Sequence, residues 1–224
     1  MNKETIKKHR DSIEEGDATI YLENIDKHGI DDDIDFLVNR LGLTANSRVL
    51  DCGYGSGRLL INIRKMFPST SLHGVEKSKT LFNYSVKDFT KNKIIVECND
   101  FLNYKNNQKF DTIIMSFFLH HVLQLDSYIK HALELLNTNG QLIILDRIAI
   151  DTNAKESFIT FWDDQYKAAH EWDEDIPNIF TLGDLSKVLV KGYSIENTEI
   201  LLHDKRPGVK NFPKTFVVVK EDNS

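Results

Sequence analysis

The feature that most constrains this chain is the run Val49-Leu50-Asp51-Cys52-Gly53-Tyr54-Gly55-Ser56-Gly57, in which an apolar strand-like segment passes straight into a loop with glycine at every second position. Glycine lacks the Cβ that would hold a ligand off the backbone and tolerates positive φ, so such a loop lets a bound molecule touch the main chain. The residues that follow, Leu59 to Met66, carry one apolar stripe and one charged face and read as a helix. A plain tight turn between strand and helix would leave the same pattern, so the loop needs partners before it implies a site.

The rest of the chain supplies a sheet for those partners. Apolar runs at Arg48 to Cys52, Leu72 to Glu76, Ile94 to Cys98, Thr112 to Ser116 and Gln141 to Asp146 alternate with amphipathic segments at Leu59 to Met66, Thr80 to Phe89 and Tyr128 to Leu136. This alternation predicts a parallel sheet covered by helices. Asn139-Gly140 is expected to close the last of these helices before its strand. Ahead of the sheet, Ile34, Phe36, Leu37 and Leu41 recur at helical spacing and Gly42 ends the run. After it, Tyr193 to Leu202 and Thr215 to Lys220 are extended runs joined through Pro207, Gly208 and Pro213, which predicts an antiparallel hairpin finishing the sheet.

Two flanking stretches stand apart. Residues 1–30 mix charges with a short apolar patch around Tyr21, Ser12 and Glu15 could cap a helix there, and the whole reads as an arm or lid. Residues 151–178 are aromatic, acidic and too long for a simple connection, so they are expected to form a lid inserted in a single domain spanning 31–224.

Two phosphate-binding readings of the glycine loop fail. The dinucleotide spacing G-x-G-x-x-G meets Arg58 when counted from Gly53 and Leu60 when counted from Gly55, and no Gly-Lys-Ser or Gly-Lys-Thr ending is present. Glu76, about twenty residues past the loop, stands at the end of the second strand, where a carboxylate can accept from both hydroxyls of a ribose. Asn99-Asp100-Phe101 ends the third strand, with an acid able to accept from an exocyclic amine and a ring able to pack on a base. Together these residues predict a nucleoside pocket without a phosphate cradle.

In that combination the chain resembles the class I S-adenosylmethionine-dependent methyltransferases from about residue 30 to the last strand. The matching segments are Val49 to Gly57, Glu76, Asn99-Asp100, Phe110-Asp111 to Ser116, and Leu135 to Leu145. The resemblance implies a three-layer, Rossmann-like α/β fold with seven strands in the order 3-2-1-4-5-7-6, strand 7 antiparallel, and helices on both faces. It implies S-adenosylmethionine as methyl donor and S-adenosylhomocysteine as product. The main chain at Gly53 and Gly55 would face the methionine part, within a motif that includes Tyr54 and Gly57, and Asp51 would hold the amino group. Glu76 with Lys77, and Asn99, Asp100 and Phe101, would hold the nucleoside, while Ser116 and Phe117 would border the sulfonium.

Methyl transfer from a sulfonium is an in-line displacement, and a base helps only where the nucleophile carries a proton. His120 and His121, just past the fourth strand, are the candidates for that base, against the alternative that they pack locally at the start of the next helix. In the insertion, Phe158, Phe161, Trp162, Tyr166 and Ala169 share a helical face with His170 and Trp172 close behind. That stripe reads either as ordinary core or as an acceptor lid shared with Tyr21; relatives cover their active sites with this segment. Arg147 after the fifth strand could hold an acidic acceptor or form a surface ion pair. Asp163, Asp164, Glu171, Asp173, Glu174 and Asp175 match no recognised ligand spacing and read as a solvated acidic face, so no metal is expected.

Composition narrows the partners. A net charge of −6 disfavours a nucleic-acid phosphate backbone. Cys52 and Cys98 fall in or beside runs read as buried strands, which argues against a disulfide framework. No run is long and apolar enough to cross a bilayer, and the first ten residues lead into no apolar stretch, so a cytoplasmic protein without membrane partners is expected. The oligomeric state stays open, a homodimer included. The leading reading is methylation of a small metabolite or natural product. No Asn-Pro-Pro-Tyr type motif follows the fourth strand, which argues against methylation of nucleobase amines or glutamine amides. The alternatives are a protein or RNA methyltransferase and a non-catalytic S-adenosylmethionine-binding module.

Overall fold

A computed structural model of the chain describes Leu22 and residues 31–161, 178–201 and 214–222. Helix α1 (Asp31–Arg40) leads into β1 (Arg48–Cys52), α2 (Arg58–Met66), β2 (Ser71–Glu76), α3 (Lys79–Lys91), β3 (Ile95–Cys98) and β4 (Phe110–Ser116). Then come α4 (Leu125–Leu135), β5 (Leu136–Asp146), β6 (Ile148–Ala149), α5 (Thr152–Phe161), β7 (Phe180–Thr181), α6 (Leu182–Val188), β8 (Tyr193–Leu201) and β9 (Lys214–Glu221). The large sheet runs β3-β2-β1-β4-β5-β9-β8, and β6 pairs with β7 in a separate two-stranded sheet. Strands β1 to β5 are parallel, while β9 runs antiparallel to both β5 and β8. Since β8 and β9 are the sixth and seventh strands of the large sheet, the observed order is the expected one.

Strands buried on both faces read as continuous apolar runs because successive side chains enter opposite layers. Val49, Ile114, Ile143, Leu145, Phe216 and Val218 join one layer with α1, α2 and α3; Leu50, Ile113, Met115, Leu142, Ile144, Val217 and Val219 join the other with α4 and α6. Local caps fix the helix starts. Ser78 Oγ accepts the Leu81 N–H at 3.3 Å before α3, and Thr181 and Asp184 form a reciprocal capping box before α6.

Three expectations are corrected. Asn139-Gly140 does not close a helix: α4 stops at Leu135, and both residues lie inside β5, where the pairing shifts from Phe110–Leu136 to Thr112–Gln141. The extra residues bulge out, with Asn139 at φ 62, and a Cβ on Gly140 would lie 2.9 Å from the Asn137 carbonyl and 3.1 Å from that of Phe110. Cys98 is exposed, because β3 is the edge strand and only its β2 side is paired; Cys52 is buried. The strands β6 and β7 were not anticipated, each being two residues long.

Gly57, at φ 81, caps α2, and a Cβ there would lie 2.2 Å from the ring of Phe89 on α3. Gly57→Ala combines left-handed strain with an overpacked aromatic contact, so it should destabilise the fold by about 2–4 kcal/mol. In urea unfolding, Phe89→Leu made in the same chain should recover part of that loss.

Candidate active site

Parallel pairing brings the carboxyl ends of β1, β2, β4 and β5 to one edge of the sheet, and with them Asp51, Glu76, Ser116 and Asp146. Glu76 is the organising group. Its Oε2 accepts the Gly55 N–H at 2.9 Å and its Oε1 the Ser78 N–H at 2.8 Å, so the acid ending β2 holds the glycine loop that leaves β1. Gly53, Gly55 and Gly57 all have positive φ, at 67, 55 and 81. The Gly53 N–H donates to the Val75 carbonyl at 2.8 Å.

Asp51 lies buried beside this pair. Burial, and then the charge of Glu76, push its carboxyl up to about 7. Burial also raises the Glu76 carboxyl, against the opposing pull of N–H groups from Ser78, Gly55 and Lys77. Two acids with little water around them make a place that gains from a cation and from hydroxyl donors.

The third strand end is arranged differently from expectation. The Asn99 N–H donates to the Glu76 carbonyl at 3.0 Å, and its side-chain amide donates to Glu97 at 2.6 Å. Asp100 Oδ1 accepts the Leu102 N–H at 2.9 Å and caps a single 3-10 turn, Phe101–Asn103. The Phe101 ring is 3% exposed and packs in the core against Tyr128, His131 and Phe118, so it does not present a face to a base. Tyr54 is corrected in the same sense. Its ring meets Phe89 edge-on at 5.0 Å and its hydroxyl accepts from Ser85 at 3.4 Å beneath the loop, which leaves only its main chain at the site. Lys77 is exposed.

Past β4 the chain folds back over the glycine loop. Phe117 adopts φ 49 while its N–H donates to the Leu145 carbonyl at 2.8 Å. The Phe118 ring then packs on Gly53, where a Cβ would lie 2.5 Å from it. Ser116, Phe117 and the 3-10 turn Leu119–His121 therefore adjoin the loop from the β4 side.

The two candidate histidines differ. His120 Nδ1 lies 2.7 Å from Asp146 Oδ1, and the ring of His121 stands against it at a centroid distance of 3.9 Å. Asp146 is buried and also accepts main-chain N–H bonds from Leu119 at 2.7 Å, His120 at 3.3 Å and Arg147 at 2.7 Å. Burial alone would raise its carboxyl; His120, then the Arg147 N–H and His121, outweigh that and hold it below the usual range. Asn178 latches the same turn, its main-chain N–H donating to the His120 carbonyl at 3.0 Å and its side-chain amide to that of Val122 at 2.8 Å. Arg147 is buried and so does not stand at the surface.

Sequence reasoning did not find Asp146 as the partner of His120. The signal existed in the pairing of β4 with β5, which sets Ser116 beside Leu145 and so brings the acid ending β5 next to the residues following β4. Tyr21, Trp162, Tyr166 and His170, the acidic run after Trp162, and the Ser12–Glu15 cap lie outside the described residues, as do the side chains of Phe158 and Phe161. Among the described residues no three His, Cys, Asp or Glu side chains group as a metal site, and no helix is long and apolar enough to cross a membrane.

A mixed sheet of this order, with a glycine loop after β1 and acids at the tips of β1 and β2, has the architecture of the class I nucleoside-binding α/β enzymes. A family model described as a methyltransferase domain matches residues 22–191, and the chain belongs to that family: it is a class I S-adenosylmethionine-dependent methyltransferase. An uncharacterized methyltransferase of Staphylococcus carnosus (strain TM300) is 29% identical over 153 residues, covering 67% of this chain and 72% of its own. The (4+2)-cyclase SpnF is similar in structure with a TM-score of 0.66 at 14% identity, covering 87% of this chain and 81% of its own. Magnesium protoporphyrin IX methyltransferase (ChlM) from Synechocystis PCC 6803, with bound S-adenosylmethionine, has a TM-score of 0.62 at 17% identity, covering 87% and 80%. At such identities the likeness speaks for the fold alone.

Asp51 ties the site to stability. Its folded value of about 7 exceeds the ordinary 3.8, so the folded protein holds this proton more tightly than the unfolded chain. That contribution is complete below pH 3.8 and is lost as pH rises through 7. Asp51→Asn should therefore gain on wild type by on the order of 3 kcal/mol between pH 5 and pH 8 in cofactor-free urea unfolding.

Proposed function

We propose that this enzyme transfers the methyl group of S-adenosylmethionine to a small-molecule acceptor, with the cofactor lying across the tips of β1, β2 and β3. The observation that carries the reading is the buried pair Asp51 and Glu76 beside a glycine loop that Glu76 itself holds. Oε2 of Glu76 receives the Gly55 N–H and Oε1 the Ser78 N–H, with the Lys77 N–H also directed at the carboxylate, and the lone-pair capacity left over is offered to the ribose hydroxyls. Asp51 offers the amino group a charge partner where water is scarce, and the bare main chain at Gly53 and Gly55 allows the methionine part to approach. Asn99 and Asp100 stand at the tip of β3 for the adenine amine, while Ser116 and Phe117 flank the sulfonium from the β4 side.

The bound cofactor supplies an electrophilic methyl; the protein's part is alignment and the exclusion of water. The acceptor would enter from the side of the Leu119–His121 turn and Arg147. A small molecule is favoured by the net charge of −6 and by the kind of acceptor named for the porphyrin methyltransferase of like fold.

Titration calorimetry with S-adenosylmethionine and S-adenosylhomocysteine tests this directly. Glu76→Ala should weaken both by about 1–3 kcal/mol, the cost of unpaired hydroxyl partners, and unchanged affinity would overturn the assignment. Because Asp51 must shed its proton to receive a cation, wild-type affinity should fall by up to about tenfold per unit below pH 7 and level off above it.

A further inference from the structure

We infer that Asp146 is a positioning residue that fixes His120 as the base for an acceptor hydroxyl. The inference rests on the methyltransferase reading above and narrows its acceptor to a molecule with an ionisable oxygen, such as a phenol or enol.

Asp146 is buried, and its two oxygens take four hydrogen bonds: Oδ2 from the Leu119 and His120 N–H groups, Oδ1 from the Arg147 N–H and His120 Nδ1. Three of these four donors are main-chain N–H groups, and they leave the carboxylate no freedom to turn. A carboxylate that only accepts requires Nδ1 of His120 to carry the proton, and this makes Nε2 the nitrogen with a lone pair. Nδ1 is the only nitrogen of this ring with a hydrogen-bond partner among the described residues, and the side chain keeps 14% of its surface exposed. The latch from Asn178 to the carbonyls of His120 and Val122 fixes the turn from its other side. Two residues before His120, the Phe118 ring lies on Gly53, so the turn is seated against the loop proposed for the cofactor.

A base placed this way is useful to a hydroxyl. A neutral amine attacks with a free lone pair and a carboxylate is already ionised, whereas a hydroxyl gains nucleophilicity as its proton leaves. In the step, Nε2 takes the hydroxyl proton and the oxygen forms the bond to the methyl carbon. The carbon–sulfur bond breaks with its electron pair left on sulfur, giving a methyl ether and the thioether product. The imidazolium of His120, stabilised by Asp146, then returns its proton to solvent.

The test has an arm that needs no acceptor. Side-chain nitrogen spectra of the full chain with S-adenosylhomocysteine bound should show His120 with Nδ1 protonated. In Asp146→Asn, with cofactor affinity retained, that tautomer should give way to the Nε2-protonated one. An Nε2-protonated His120 in wild type overturns the proposal, as does an unaltered tautomer in the variant. The second arm follows S-adenosylhomocysteine release with a panel of phenols, enols, amines and thiols. Hydroxyl acceptors should turn over, and His120→Gln should lower kcat about 100-fold with acceptor KM and cofactor Kd changed less than about threefold. Wild-type kcat in His120→Gln, or turnover confined to amines or thiols, overturns it. Cofactor affinity separates the two readings: loss of the base with binding intact leaves the methyltransferase assignment standing, while absence of cofactor binding removes both.

Discussion

The hydrogen bond from the Gly55 N–H to the Glu76 carboxylate is the contact on which this site depends. A loop built from glycines has few side chains with which to hold itself, and its backbone has more freedom to lose than any other. Here the next strand lends the constraint. A buried carboxylate is costly unless its lone pairs are met, and the N–H groups of Gly55 and Ser78 meet two of them. The acid that would recognise a ribose is therefore the acid that shapes the loop, and neither task can be altered without the other.

The glycines themselves answer to different neighbours. Gly53 makes room for the Phe118 ring and Gly57 for the Phe89 ring, so at both positions an aromatic from another element occupies the space a Cβ would need. The first couples the loop after β1 to the turn that carries His120, and the second couples it to α3. A motif that reads in sequence as a ligand cradle is in part a packing motif, and its spacing records where two phenylalanines sit.

Much of this was legible because strands buried on both faces leave unbroken apolar runs, and because parallel strands present their ending residues at a single edge. Asp51, Glu76 and Ser116 could be placed on that ground alone. Tyr54 and Phe101 could not, since a residue in a turn has no periodicity to say which way its side chain points, and both rings went to the core. Asn139-Gly140 looked like a helix terminus because the same pair suits a bulge, and only the pairing of β4 with β5 distinguishes the two. Cys98 looked buried because the sequence of an edge strand does not announce that one of its sides is unpaired. The Asp146–His120 contact depends on which strands are neighbours, a property of the whole sheet.

The placement of β9 between β5 and β8 has a consequence for how the molecule is made. Among the described residues, the edge of β5 through Leu142 to Leu145 pairs only with β9, and β8 pairs with no other strand of the large sheet. A nascent chain that has completed β5 (ending at Asp146) thus carries an open, apolar rim until β9 (Lys214–Glu221) has been made, the kind of rim that invites association with a second chain. Closure of the sheet must wait for synthesis to pass β9, so this half of the domain assembles after the half built on β1 to β4.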